Sequence, residues 1–94
     1  MDLRAFADHA AAEGYGPLEN RTLPANFVFG EHVHMDDLLI YVTRGTYIVD
    51  YQGERCLMGP GEMHYVRPRI QHTEAAGPEG AEYQTTWRAA KPSS

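Results

Sequence analysis

The sequence predicts an all-β domain, a sandwich or barrel, preceded by one short helix. From residue 18 onward glycines and prolines punctuate the chain at short, regular intervals: Pro24, Gly30, Gly45, Gly53, Gly59, Pro60, Gly61, Pro68, Gly77, Pro78 and Gly80. The segments between them are rich in Val, Ile, Tyr, Thr and Phe, the composition of strands joined by turns. Ninety-four residues with 43% apolar and 22% charged side chains form one core, burying roughly 60–68% of the unfolded surface.

Residues 2–13 read as the helix, because Leu3, Phe6 and Ala10 recur at three- and four-residue steps and make one apolar stripe. Asp2 suits the positive end of the helix dipole. Gly14 stops the helix, and Tyr15, Gly16 and Pro17 do not continue it. A twelve-residue helix is marginal alone and must pack on something. Strands are expected near 19–23, 26–33, 38–44, 46–51, 54–58, 63–67, 70–75 and 81–88. Arg44-Gly45 and Gln52-Gly53 read as hairpin turns, with glycine where positive φ is needed. Gly77-Pro78-Glu79-Gly80 reads as a loop before the last strand. On that strand Ala81, Tyr83, Thr85 and Trp87 share one face, and Glu82, Gln84, Thr86 and Arg88 the other. The expected organisation is a helix and linker over 1–17, a barrel over 18–88 and a flexible tail over 89–94.

Composition narrows the function. Thirteen acidic residues against eight basic ones give a net charge of −5, which argues against a nucleic-acid partner. No apolar run is long enough to span a membrane, and the N-terminal segment lacks the pattern of a signal peptide. Cys56 is the only cysteine, so no internal disulfide forms and a cytoplasmic location is expected. On its strand Cys56 reads as a small hydrophobe. No phosphate-binding glycine loop or Ser-centred elbow is present.

Histidines carry the chemistry. His32 and His34 stand two apart on an expected strand and therefore project to one face, a chelating pair. His72 follows a turn containing Pro68 and supplies a third ligand if the sheet closes, which is the donor set of many catalytic first-row metal sites. Parity places Glu74 on the face of His72. His64 is a further nitrogen or an acid–base group, and His9 stands apart.

The stretch from His32 to His72 resembles the cupin superfamily. The first cupin motif is Gly, five residues, His-x-His, three or four residues, Glu, six residues, Gly; here His32, His34 and Gly45 match in register. The second is Gly, five residues, Pro-x-Gly, two residues, His; here Gly61 and His72 match. The resemblance covers about residues 19–88 and implies a cupin-type double-stranded β-helix, a jelly-roll barrel. Its mouth would hold a metal on two histidines, an acidic residue and a third histidine. The chain departs from the pattern at Asn26, which replaces the leading glycine, at Leu38, which replaces the acidic ligand, and at Arg67 and Arg69. Asp36 and Asp37 are near the acidic position but out of register. Glu74, His64 or water could complete the shell, or the histidines could line a metal-free pocket.

The reading that follows is a metal-binding pocket for a small organic molecule. His32, His34 and His72 would hold Zn, Ni, Mn or Fe, with His64 or Glu74 as fourth ligand or proton carrier. Arg67, Tyr83 and Trp87 are candidate ligand contacts: a guanidinium for an anionic group, and two aromatic rings as a pocket wall. The reaction could be that of an isomerase, a lyase or a dioxygenase. The alternative is a non-catalytic metal- or ligand-binding sensor that works through a partner. A homodimer is expected, because the resemblance implies a family whose members commonly pair, and a two-fold dimer is the default assembly.

Overall fold

The computed structural model describes residues 1–91. Helix α1 spans Leu3–Ala12, with Asp2 as N-cap: its carboxylate accepts the Ala5 amide at 2.8 Å. Six strands follow: β1 Glu19–Leu23, β2 Val28–His32, β3 Asp37–Tyr51, β4 Glu54–Met58, β5 Met63–Val66 and β6 His72–Arg88. Residues 89–91 carry no regular structure, and the rest of the expected tail, 92–94, lies outside the described residues.

Eight expected strands become six because two pairs are continuous. Gly45 has φ +74, as a hairpin would need, yet it sits inside the fifteen-residue β3. Likewise Gly77–Gly80 is part of the seventeen-residue β6 and not a loop. The two long strands pair antiparallel along almost their whole length and bend together, with register shifts between Val42 and Arg44 and between Gly45 and Tyr47. A Cβ on Gly45 would stand 2.1 Å from the Gly80 carbonyl oxygen, so glycine is required where the two backbones cross. Gln52-Gly53 is the expected two-residue hairpin: both residues have positive φ, and the Asp50 carboxylate accepts the Gly53 amide.

The bend folds one sheet into two four-stranded halves. In the first, β1 pairs with residues 81–85 of β6, and β5 with residues 38–41 of β3. In the second, β2 pairs with the start of β6, and β4 with residues 47–51 of β3. Between them lies a core of Leu38, Ile40, Val42, Tyr47, Val49, Met58, Val66, Ala76, Ala81 and Tyr83. Alternation along β3 turns Leu39 and Tyr41 outward, where Phe6 and Ala10 of α1 cover them. Phe6 stacks on Tyr41 at 5.2 Å, and the Tyr41 hydroxyl donates to the Met1 carbonyl. The architecture is an antiparallel jelly-roll barrel with a helix packed outside, as the sequence predicts.

Candidate metal centre and ligand cavity

A β-bulge builds the site. Phe29 pairs with Glu74, so an unbroken ladder would set residue 31 opposite His72; a register shift instead sets His32 there. That single slip turns His32 to the face shared by His72 and Glu74. Gly30, inside β2, is the sequence signal for the bulge. His34 lies just past the end of β2, not on it, and so the HxH pair does not ride one straight strand.

The three imidazoles converge. The His32 and His72 ring centroids are 4.4 Å apart, and those of His34 and His72 are 5.0 Å apart. Nδ1 of His32 lies 2.8 Å from the Gly30 carbonyl oxygen, that of His34 2.7 Å from the Asp36 oxygen, and that of His72 2.8 Å from the Ile70 oxygen. A carbonyl only accepts, so each Nδ1 carries a proton and donates, which leaves the lone pair of each neutral ring on Nε2. Nε2 of His34 and of His72 is buried without a hydrogen-bond partner. Nε2 of His32 sits 2.6 Å from Glu74 Oε2, two acceptors in contact that require a proton or a cation between them. One donor atom from each of His32, His72 and Glu74 falls within 4.8 Å of the others.

The electrostatics agree. Burial holds the His72 imidazole below its ordinary range, reinforced by the charges of His32 and His34 against the opposing bond to Ile70, so the ring is neutral at neutral pH. Burial pushes the Glu74 carboxyl up, opposed by His32 and His34. Buried nitrogen lone pairs and a desolvated carboxylate are the donor set of a first-row divalent ion, and the residues present fit one.

The cluster opens on a cavity of about 460 Å³. Phe27, Phe29, Leu38, Ile40, Tyr83 and Trp87 line it, with Arg21 and Thr22 at its β1 edge. Tyr83 and Trp87, which share a face of β6, both line this cavity, and the Trp87 ring meets His34 edge-on at 5.2 Å. Leu38 faces the cavity in place of an acidic ligand. The sequence does not mark Arg21, Phe27 and Phe29 as wall residues, because their direction depends on pairing with β6.

Two candidate residues lie elsewhere. His64 pairs through Nε2 with the Tyr51 hydroxyl at 3.0 Å, and the Tyr51 ring stands between it and His72. Arg67 lies over the Tyr51 ring, 5.4 Å from its centroid, and borders a different depression. His9 is exposed on α1.

Solved structures share this fold at low identity. A cupin-2 domain protein and an RmlC-like cupin, both from Shewanella frigidimarina, are each 20% identical with TM-scores of 0.65 and 0.66, over 73% and 79% of this chain. The chain spans 66% of the length of each, a little under two thirds. The DMSP lyase DddQ from Ruegeria pomeroyi is 15% identical with a TM-score of 0.68, over 82% of this chain and 40% of its own. No curated protein matches the sequence. The family model for the AraC-like ligand binding domain matches residues 22–93, all six strands but the first residues of β1, and the chain belongs to that family, within the cupin superfamily.

Proposed function

We propose that the chain binds a small organic molecule in the 460 Å³ cavity through a divalent first-row metal ion held by His32, His34, His72 and Glu74. The observation that carries this reading is the grouping of the buried, unpartnered His72 Nε2 with His32 Nε2 and the Glu74 carboxylate at the cavity wall, with the unpartnered Nε2 of His34 on the neighbouring ring. When bound, the ion would supply Lewis acidity to a carbonyl or carboxylate oxygen of the ligand. The protein's own contribution is orientation and desolvation. The Gly30, Asp36 and Ile70 carbonyls fix the three rings, while Phe27, Phe29, Leu38 and Trp87 keep water from the ligand's apolar part.

A lyase or decarboxylase activity on a small acid is the catalytic form of this reading. It is supported by the fold likeness to a DMSP lyase and to an oxalate decarboxylase variant from Bacillus subtilis. The second reading, a non-catalytic sensor, is favoured by membership in a ligand-binding family.

Elemental analysis of tag-free protein purified without chelator tests the metal. About one ion per chain is expected, retained by His9→Ala and lost from His72→Ala. Equal, near-zero content in all three overturns the proposal. With metal present, turnover of small hydroxy and keto acids marks the enzyme, and saturable binding without product marks the sensor.

A further inference from the structure

The second depression, of about 440 Å³, is bordered by Asp37, Tyr65, Arg67, Arg69, Arg88 and Lys91 together with apolar Pro68, Ile70 and Ala90. It lies on the other face of the first sheet half: Trp87 lines the metal-side cavity while its neighbour Arg88 lines this one. The chain has only eight basic residues in a net charge of −5, and half of them border this one depression.

Asp37, the single acid there, is already committed. Its Oδ1 accepts the Tyr65 hydroxyl at 2.7 Å, and its Oδ2 accepts Arg88 Nε and Nη2 at 3.1 and 2.9 Å. Arg67, Arg69 and Lys91 form no ion pair among the described residues. Random solvation scatters like charges; with Arg88 paired to Asp37, the three remaining cations around one concave surface raise its potential and favour a multiply charged anion.

The loop is also fixed. Arg69 has φ +64, uncommon for a residue with a side chain. Its amide donates to the His34 carbonyl at 2.8 Å, and the next residue's carbonyl accepts from His72. The two guanidiniums are therefore carried on a backbone held at both sides, a preorganisation that lowers the ordering cost of binding.

We propose that this depression is an anion site, separate from the metal cavity, that takes a phosphate monoester. The dianionic group would meet the guanidiniums of Arg67 and Arg69, which match oxyanions bidentately, with Lys91 as a third charge. The ester's organic group would rest on Pro68, Ile70 and Ala90.

The test is an amide NMR titration of the full chain, stripped of metal with chelator and dialysed, using inorganic phosphate and phenyl phosphate at low salt. Saturable shifts are expected for the amides of Arg67, Arg69 and Ile70 and of residues 88–91, and not for His32 or His34, with phenyl phosphate binding more tightly. The Arg67→Gln, Arg69→Asn double variant should bind about tenfold more weakly with an unchanged fold, and Arg67→Lys should fall between. Asparagine is chosen at 69 because it tolerates positive φ. Shifts spread over Arg4, Arg21, Arg44 and Arg55, linear shifts without saturation, or wild-type affinity in the folded double variant would each overturn the site. Stripping the metal keeps this result independent of the metal proposal.

Discussion

Each clustered imidazole is locked by a carbonyl two residues away in sequence: Gly30 for His32, Asp36 for His34 and Ile70 for His72. Short local bonds of this kind need no distant partner, so the nitrogen that faces the cluster is set as soon as the local backbone forms. Asp37 works at longer range, tying the start of β3 to Arg88 and Tyr65. Burial alone would raise its carboxyl, but the Tyr65 hydroxyl and the Arg88 guanidinium outweigh this and hold it below its ordinary 3.8. The same contact pushes the Tyr65 phenol up to about 12, first through the hydrogen bond and then through burial. A depressed carboxyl stabilises the fold at every pH above its unfolded value, and this contribution is lost as pH falls through the folded value. Asp37→Asn is therefore expected to lower the melting temperature at pH 7, and the gap to wild type should close below about pH 4. A gap of constant size down to pH 2 would show that the carboxylate charge contributes nothing. The histidines were legible from the two-residue spacing of His32 and His34 and from the register that His32, His34 and His72 share with the motifs the chain resembles. Glu74 was legible only as one alternative, because its place beside His32 follows from the cross-strand register and the bulge at Gly30.

At the scale of elements, the two long strands decide the shape. The sequence marks Gly45 and Gly80 as special, and both do have positive φ. A turn and a bend share that signal: glycine reports the local backbone, whereas continuity depends on which strand lies alongside. Because β3 and β6 lie against each other through the bend, the chain continues where an isolated segment would reverse. The hairpin at Gln52-Gly53 was readable because its two residues stand directly between Tyr51 and Glu54, which pair with each other, so the reversal closes on its immediate neighbours. This distinction has a measurable consequence. Gly45→Ala places a Cβ 2.1 Å from the Gly80 oxygen and 2.9 Å from its carbonyl carbon, backbone that moves only if the barrel opens. Overpacking and positive-φ strain together should cost about 2–5 kcal/mol. Gly53→Ala meets nothing within 4 Å and should cost about 1–2 kcal/mol, from φ alone. Denaturant melts of the two variants check this, and equal costs would refute a crossing that demands glycine.

On the scale of the whole molecule, stability and ligand binding meet at the seam between the two sheet halves. His32, His72 and Glu74 come from β2 and β6 in the second half, while Leu38, Ile40, Tyr83 and Trp87 on the cavity wall come from the first. A single core of 94 residues gives a modest margin. It also buries two nitrogens without partners, each of which costs free energy until something fills the site. An ion bound by the folded state and not by the unfolded chain stabilises by RT ln(1 + [M]/Kd), about 2.7 kcal/mol at a hundredfold excess over Kd. For a domain of this size each kcal/mol moves the melting temperature by about 4–8 °C, so the expected rise is on the order of 10–20 °C. Calorimetry of chelator-stripped protein, with Zn, Ni, Mn or Fe(II) added in turn, should show that rise for at least one ion. Chelator should reverse it. The rise should shrink as the solution is made acidic, because protons compete with the ion for its donor atoms. His72→Ala, folded and stripped, should show none of it, and His9→Ala all of it. A rise of the same size in His72→Ala would place the ion elsewhere on this acidic surface, and no rise with any of the four would leave the convergent nitrogens without the ion their geometry calls for.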